Sequence, residues 1–273
     1  MKYLIVTADD LGLAKSINEG IARACNEGVV TAASVIPSGA AFDDAVHMIG
    51  SLPFKSIGAH LALTEIKPLL SSSKFNKDHN SLFFSILSGR ISRESMYAEF
   101  KAQLDLIKAS GLTITHINSH EHIHMIPLVL EILIQLAKEY NIPAIRFPRG
   151  DRRPVGLSLK ENYRSFVLNR FSGMMKNKLE GSGLIYTDHF MGLLDAGQLN
   201  IDKLKTIISN TEDGVTEIVA HPGFLSPEVL DNFSWHIGGE TELFALTDNR
   251  IKNAVKNNGI KLITFDDFLA LKK

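Results

Sequence analysis

The sequence contains a single cysteine and has no excess of either charge. Cys25 cannot form a disulfide within the chain and belongs to no redox motif, so we expect a buried thiol and a reducing compartment. The 29 Lys and Arg residues are balanced by 30 Asp and Glu residues, which leaves a net charge of −1. No field of this size would attract nucleic acid or an acidic membrane, so we expect a small-molecule partner.

Long hydrophobic runs are also missing from the sequence. The first apolar segment meets Asp9 almost at once and is too short for the core of a signal peptide. No later run approaches the roughly 18 apolar residues of a membrane helix. We therefore predict no membrane association and a cytoplasmic location.

What the chain does have is the composition and the alternation of an α/β protein. It is 45% hydrophobic over 273 residues, which is typical of one large domain, and we predict a single domain over residues 1–273. Short β-branched runs alternate with helical patterns, which indicates repeated βα units around a parallel sheet. The predicted strands cover residues 3–8, 32–38, 55–61, 113–118, 144–148, 184–190, 216–222 and 261–265.

This count favours a (β/α) barrel of seven or eight parallel strands, with an open doubly wound sheet as the alternative. Helices are predicted at 16–28, where Gly28 closes the pattern, and at 127–141, which begins with a proline. Two stretches, at about 65–92 and 149–183, are longer than a tight βα connection needs. We predict that these long loops carry substrate contacts.

Polar residues gather where the predicted strands end. Asp9 and Asp10 follow the first strand, His60 lies near the end of the third, "SHEHIH" at 119–124 follows the fourth, and His221 ends the seventh. In a parallel barrel the carboxyl ends of the strands converge on one face, which carries the active site. These side chains are therefore expected to meet.

One carboxylate and two imidazoles form a common ligand set for a hydrolytic divalent metal with open positions. Successive strand side chains face opposite ways, so one of the two adjacent aspartates is expected to bind the metal while its neighbour acts on water. A helical segment would let His120 and His124 reach one ion, whereas an extended segment would align both with His122. The spacing leaves this choice open.

Four motifs in this order, "TADDLGLAKSINEGI", "GAHLALT", "THINSHEHIHMIP" and "HPG", closely resemble the YdjC-like carbohydrate deacetylases, which include the chitooligosaccharide deacetylases. The resemblance extends from residue 3 to about residue 265. It implies a (β/α) barrel related to the polysaccharide deacetylases. It also implies metal-dependent removal of an acetyl group from an N-acetylated sugar.

Residue by residue, the resemblance implies three metal ligands, one catalytic base and one catalytic acid. The ligands are Asp10, His60 and His120, the base is Asp9, and the acid is His221. The implied cofactor is a divalent cation, magnesium or zinc, and manganese or cobalt would also suit such a site.

Several other polar residues keep more than one interpretation. Asn118 departs from the family pattern, in which aspartate often stands before the serine that is Ser119 here. This departure changes the charge beside the ligands and can change their orientation. His122 and His124 are ligands, supports for ligands or substrate contacts. Arg146 contacts a sugar or forms an ion pair. His189 lines the pocket or caps a structural element. Trp235 stacks on a sugar ring or packs in the core.

Three other functional classes stay open at this stage. Another metal-dependent amidohydrolase or a metallophosphatase could use a similar cluster. A glycosidase would need two carboxylates on opposite sides of the scissile bond, whereas Asp9 and Asp10 are neighbours. A sugar-binding protein without turnover is the third class. A homodimer is also compatible with the sequence.

Overall fold

Strand and helix alternate along the chain, as the sequence predicts. The computed structural model describes residues 1–70, 75, 78–148, 172–173 and 175–272. The strands are β1 Lys2–Leu11, β2 Ala32–Val35, β3 Ile57–Leu61, β4 Ile114–Ser119, β5 Ala144–Ile145, β6 His189–Met191, β7 Gly214–Ala220 and β8 Ile260–Leu262. The helices with described bounds are α1 Lys15–Glu27, α2 Phe42–Ile49, α3 His79–Leu87, α4 Arg93–Ala109, α5 Pro127–Glu139, α6 Ile201–Ser209, α7 Pro227–Asn232, α8 Gly239–Thr247, α9 Asn249–Asn257 and α10 Phe265–Leu271.

The eight strands form one parallel sheet with the order β5-β4-β3-β2-β1-β7-β6, and β8 pairs with the first residues of β1. Just before β6, the backbone of Ile185 pairs with that of Ala144 in β5. Because the two ends of the strand order are joined in this way, the sheet curves into a partly closed barrel. The prediction of a (β/α) barrel with seven or eight parallel strands is confirmed, and the open doubly wound alternative is not the observed arrangement.

Alternate residues of β1 belong to different layers. Leu4 and Val6 pack in the large core cluster that includes residues of α1, whereas Ile5 belongs to a smaller cluster with side chains of β7 and α10. Thr7 and Asp9 follow Ile5 at two-residue spacing, so they share its side of the sheet. This face carries the polar groups of the site, above the smaller apolar cluster.

Helix α1 fixes the turn that follows β7. A Cβ atom at Gly20 would lie 2.5 Å from the Cα of Gly223, so glycine at this position permits the close approach. The backbone N–H of Phe224 also donates to the carbonyl of Ser16 at 3.1 Å. This contact holds the "HPG" turn, and with it His221, against the start of the first helix.

The two predicted long loops have different outcomes. The stretch 65–92 contains α3, whose N-cap Asp78 accepts a hydrogen bond from the backbone N–H of Ser81 at 2.9 Å. It is therefore partly helical rather than a loop throughout. Most of 149–183 lies outside the described residues. Within the described part of the chain, no helix combines the length and apolar character needed to span a bilayer.

Candidate functional site

Asp10, His60 and His120 meet at the carboxyl end of the sheet, and all three are buried. The Oδ1 atom of Asp10 lies 3.3 Å from Nε2 of His60 and 3.3 Å from Nδ1 of His120. One ligand atom from each residue lies within 4.8 Å of those of the other two. Oδ1 finds no hydrogen-bond partner among the described residues. A buried carboxylate oxygen that makes no regular hydrogen bond and faces two imidazole nitrogens has the chemistry of a metal site, so this group could hold a metal ion.

The other oxygen of Asp10 is held by two ring nitrogens. Nε2 of His236 lies 2.8 Å from Oδ2, and Nε1 of Trp235 donates to the same atom at 3.2 Å. These contacts fix the carboxylate so that Oδ1 faces the two histidines. The sequence interpretation missed His236, because a histidine in a connection 226 residues away carries no local signal.

A local irregularity in β1 brings both aspartates to the same end of the barrel. The pairing of β1 with β2 shifts register between Ala8 and Leu11, and Asp10 has a left-handed backbone with φ of 69°. A regular strand would point Asp10 away from the side that Asp9 occupies. The bulge explains how two adjacent carboxylates serve one site while contacting different partners.

Asp9 contacts the buried guanidinium of Arg146 through both of its carboxylate oxygens. The Nη2 atom lies 2.9 Å from Oδ1, and Nε of the same arginine donates to Glu217 Oε1 at 2.9 Å. Burial opposes ionisation of Asp9, but the charges of Arg146 and His60 and the hydrogen bonds from Arg146 together outweigh it and hold the pKa of Asp9 well below its usual range. Burial raises the pKa of Glu217 even beside the guanidinium. Of the two interpretations of Arg146, the ion pair is the one observed.

His221 directly follows β7 and lines the same cavity. Its backbone N–H donates to Oε2 of Glu242 at 2.6 Å, while its Nδ1 has no partner among the described residues. Desolvation lowers the pKa of His221 to about 4, so the ring is neutral at pH 7. Glu242 is itself buried, and burial raises its pKa to about 7.

The segment His120–Met125 is a short 3₁₀ turn rather than an α-helix or a strand, and Glu121 and His122 have left-handed backbones with φ of 51°. The Oγ atom of Ser119 lies 2.5 Å from Nδ1 of His124 and accepts from its backbone N–H at 3.0 Å. His124 is therefore bound to its own turn, and the helical pairing of His120 with His124 does not occur. His122 lines the cavity and packs edge-on against Phe190 at 5.7 Å.

Backbone strain is concentrated at this site. Four non-glycine residues with positive φ belong to it, and only Asn141 among the described residues has the same conformation elsewhere. Each costs roughly 1–2 kcal/mol relative to a right-handed backbone. Such conformations are held in place by the surrounding structure and are concentrated at active sites and binding sites. The four are Asp10, Glu65, Glu121 and His122.

His120 has a carboxylate on each side of its ring. Its Nε2 lies 3.3 Å from Oε2 of Glu65, and its Nδ1 faces Asp10. Burial alone would lower the pKa of His120, but the charge of Asp10 and the two carboxylate contacts raise it to about 10. The isolated protein thus carries a proton at the position where a cation would bind.

These residues open into a cavity of about 800 Å³, a volume typical of small-molecule sites. Its lining includes Asp9, Glu65, His120, His221 and Trp235. Trp235 thus presents its ring to the cavity and its N–H to Asp10. His189 lies elsewhere, because it begins β6 and bonds to the backbone of Asp213 at 3.1 Å. The strand predicted at 184–190 thus begins at His189 instead of ending near it, and His189 is not among the residues that line this cavity.

The sequence is similar to proteins of known family over nearly its whole length. A carbohydrate deacetylase from Brevibacillus brevis is 33% identical and covers 97% of this chain and 98% of its own. A chitooligosaccharide deacetylase from Klebsiella pneumoniae is 28% identical, with 97% and 99% coverage. The structure of a candidate cellobiose-phosphate cleavage protein from Enterococcus faecalis V583 superimposes with a TM-score of 0.75 at 23% identity, covers 98% of each chain and shows the same fold.

The family profile described as YdjC-like protein matches residues 3–257. This match includes β2 to β7, all of β1 except its first residue, the bulge at Asp10, and each of the five residues that the resemblance implies as ligands, base and acid. The chain therefore belongs to the YdjC-like protein family.

Proposed function

We propose that this protein is a metal-dependent carbohydrate deacetylase. Its substrate would be an N-acetylated sugar or a short chitooligosaccharide, and its products acetate and a free amino sugar. The observation that carries the proposal is Oδ1 of Asp10, which makes no regular hydrogen bond and lies 3.3 Å from a ring nitrogen of both His60 and His120. Relatives named carbohydrate deacetylase and chitooligosaccharide deacetylase support the reaction class.

Asp10, His60 and His120 would hold the cation, and their donor atoms fit one. A divalent ion bound there supplies Lewis acidity, which lowers the pKa of water and polarises an acyl carbonyl. Two imidazoles suit zinc, and a site completed by oxygen atoms also accepts magnesium, manganese or cobalt. The identity of the metal is therefore left to experiment.

Asp9 would remove a proton from the attacking water. The Arg146 guanidinium keeps Asp9 ionised and fixes both of its oxygens, so the base is charged and oriented before substrate arrives. A strongly stabilised carboxylate is a weak base. Glu217 reduces the stabilisation of Asp9, because it binds the same guanidinium. In this role Asp9 would act on the water without being a ligand itself.

His221 would deliver a proton to the departing sugar nitrogen. Its pKa of about 4 makes the protonated ring a stronger acid than an ordinary imidazolium and also keeps the resting ring neutral at pH 7. His221 must therefore receive this proton during the reaction. The proton that Asp9 removes from water balances the transfer, so that one water is consumed and a neutral amine leaves.

The contacts of the two aspartates argue against a glycosidase. Asp9 is bound to Arg146, and Asp10 to His236 and Trp235, so the pair does not form two free carboxylates across a cleft. Geometry does not distinguish the proposed deacetylase from a metallophosphatase, another amidohydrolase or a sugar-binding protein without turnover. An assay of the products does.

The deciding experiment measures acetate and free amine released from diacetylchitobiose and other N-acetyl sugars. It is run on the metal-depleted protein with zinc, magnesium, manganese or cobalt added back, beside a phosphate ester as the competing substrate. We expect equimolar acetate and amine, and none in the presence of a chelator. Phosphate release without acetate would instead identify a phosphatase, and sugar binding without either product would identify a binding protein. A cytoplasmic location and a homodimer stay predictions.

A further inference from the structure

The side-chain amide of Asn118 lies between a proposed metal ligand and a buried guanidinium. The register of β3 and β4 pairs His60 with Asn118 directly. One end of the amide lies 2.6 Å from Nδ1 of His60, and the other lies 3.0 Å from both Nη1 and Nη2 of Arg146. All three residues are buried. The guanidinium nitrogens of Arg146 can only donate, whereas Nδ1 of His60 donates or accepts according to where the ring proton lies. These donors and acceptors decide which end of the amide faces which neighbour.

With its carbonyl oxygen toward Arg146, the amide has all of its hydrogen bonds. The oxygen accepts from both guanidinium nitrogens at 3.0 Å and from Oγ of Ser34 at 2.9 Å. The NH₂ group then donates to Nδ1 of His60 at 2.6 Å and to the carbonyl of Ala59 at 3.1 Å. Every donor in this arrangement has an acceptor.

With the amide reversed, the same positions conflict. The oxygen accepts from an Nδ1–H of His60, but the NH₂ group faces the two donors of Arg146 at 3.0 Å. Its own bonds are then to Ser34 Oγ at 2.9 Å and, weakly, to Asp9 Oδ1 at 3.4 Å. Two buried donors facing each other are costly, so the first orientation is favoured in the free protein.

The favoured orientation places the ring proton of His60 on the wrong nitrogen for metal binding. If Nδ1 accepts from Asn118, the proton sits on Nε2, which is the atom that faces Asp10 Oδ1 at 3.3 Å. A protonated ring nitrogen has no lone pair for a cation. His120 faces Asp10 through its other ring nitrogen, because the carboxylate of Glu65 can only accept and therefore takes the proton on Nε2, while Nδ1 faces Asp10.

We propose that Asn118 is a positioning residue that sets the ring proton of His60 and thereby weakens this site's affinity for a divalent cation. The inference rests on the proposed metal site. Binding requires the His60 proton on Nδ1 and the amide turned so that its NH₂ group faces Arg146. Aspartate at position 118 would accept from both neighbours at once and would remove this conflict. Changes in groups that support a ligand typically alter metal affinity by about 10- to 100-fold.

The first test follows the ring proton in the wild-type chain. Nitrogen NMR of the metal-depleted protein with ¹⁵N-labelled histidine, assigned with His60→Gln, reports which nitrogen of His60 carries the proton. We expect Nε2–H before zinc is added and Nδ1–H afterwards. A His60 ring that already carries its proton on Nδ1 without zinc would overturn the inference. This measurement does not depend on any substitution at position 118.

The second test compares zinc affinities by calorimetry. Asn118→Asp should bind zinc about 10- to 100-fold more tightly than wild type. The matched control is Asn80→Asp, which adds a carboxylate at an exposed position that lines the same cavity. Its affinity should stay within about threefold of wild type, because an exposed charge acts weakly through solvent.

If wild type and Asn118→Asp bind zinc with equal affinity, the inference about Asn118 is overturned while the proposed metal site stands. An equal gain in both aspartate variants does so as well, because added charge would then be the cause. If neither wild type nor Asn118→Asp binds zinc, the proposed metal site itself is wrong, and this inference with it.

Discussion

Arg146 and Asp9 form a two-point ion pair inside the barrel, in which Nη2 lies 2.9 Å from Oδ1 and Nη1 contacts Oδ2. Arg146 is 1% exposed, and Glu217 binds the third nitrogen of the same guanidinium. One cation therefore contacts two buried carboxyl groups that come from different strands. The pair connects the proposed base to β7 and makes the site part of the core.

We expect Arg146→Met to destabilise the fold by about 3–5 kcal/mol, because it leaves two carboxylates buried without a counter-charge. Denaturant unfolding monitored by circular dichroism measures this loss. The matched control is Arg250→Met, which breaks an exposed pair with Asp248. That change should cost less than about 1 kcal/mol. Similar losses in both variants would show that the buried pair contributes no more than a surface one.

The proposed ligands make a separate prediction about metal content. Loss of one ligand from three leaves a weak site, so His60→Ala and His120→Ala should each lose most of the bound zinc after desalting. Elemental analysis of the purified proteins measures the ratio of metal to protein. His47→Ala, an exposed change on α2, should keep the wild-type ratio. Full occupancy in either ligand variant contradicts the assignment of that ligand.

Zinc binding should also release about one proton at pH 7.5. The pKa of His120 is raised to about 10 in the metal-free protein, so the ring must lose a proton before its nitrogen can bind a cation. The release should decline as pH rises through about 10, where the ring is already neutral. Calorimetry in buffers with different ionisation enthalpies measures the number of protons. Identical heats in all buffers would mean that no net proton leaves.

Much of this site could be predicted from the sequence, because its elements are local patterns. The alternation of strands and helices places the ends of β1, β3, β4 and β7 on one face of the barrel. The structure accordingly brings together Asp9, Asp10, His60, His120 and His221. Each of these residues stands at or just after the end of a strand, where the parallel topology forces convergence.

The supporting contacts could not be predicted, because they depend on side chains that are distant in sequence. His236 reaches Asp10 from a connection after β7, and Glu217 reaches Arg146 from within that strand. The two left-handed residues in "SHEHIH" also separate His124 from His120, and no spacing rule anticipates that conformation. Local pattern thus indicates which residues converge, while packing decides which atoms they present.

Glu242 makes the stability of the protein depend on pH in a predictable direction. Its pKa in the fold is raised to about 7 from an ordinary value of 4.5, because burial disfavours the charged form. The folded state therefore binds the proton more tightly than the unfolded chain. This contribution is fully present below about pH 4.5 and is lost as pH rises through about 7, with a size on the order of a few kcal/mol.

Glu242→Gln should remove this dependence, so that the wild type and the variant differ in slope between pH 4.5 and 7. Unfolding free energies measured at intervals across this window give the two slopes. Glu228→Gln, an exposed change in the first turn of α7, should keep the wild-type slope. If both variants retain it, another group is responsible for the pH dependence.

The last prediction separates the proposed base from the proposed acid by the leaving group of the substrate. Asp9→Asn keeps the shape of the side chain but removes its proton affinity, so hydrolysis of an amide and of an activated ester should both fall by about 10²- to 10⁴-fold. His221→Ala should slow the amide by a similar factor but the ester far less, because a good leaving group needs little protonation. Zinc content should match wild type in both variants, since neither residue is a proposed ligand. Equal losses on amide and ester in His221→Ala would assign the ring to binding or structure rather than to proton transfer.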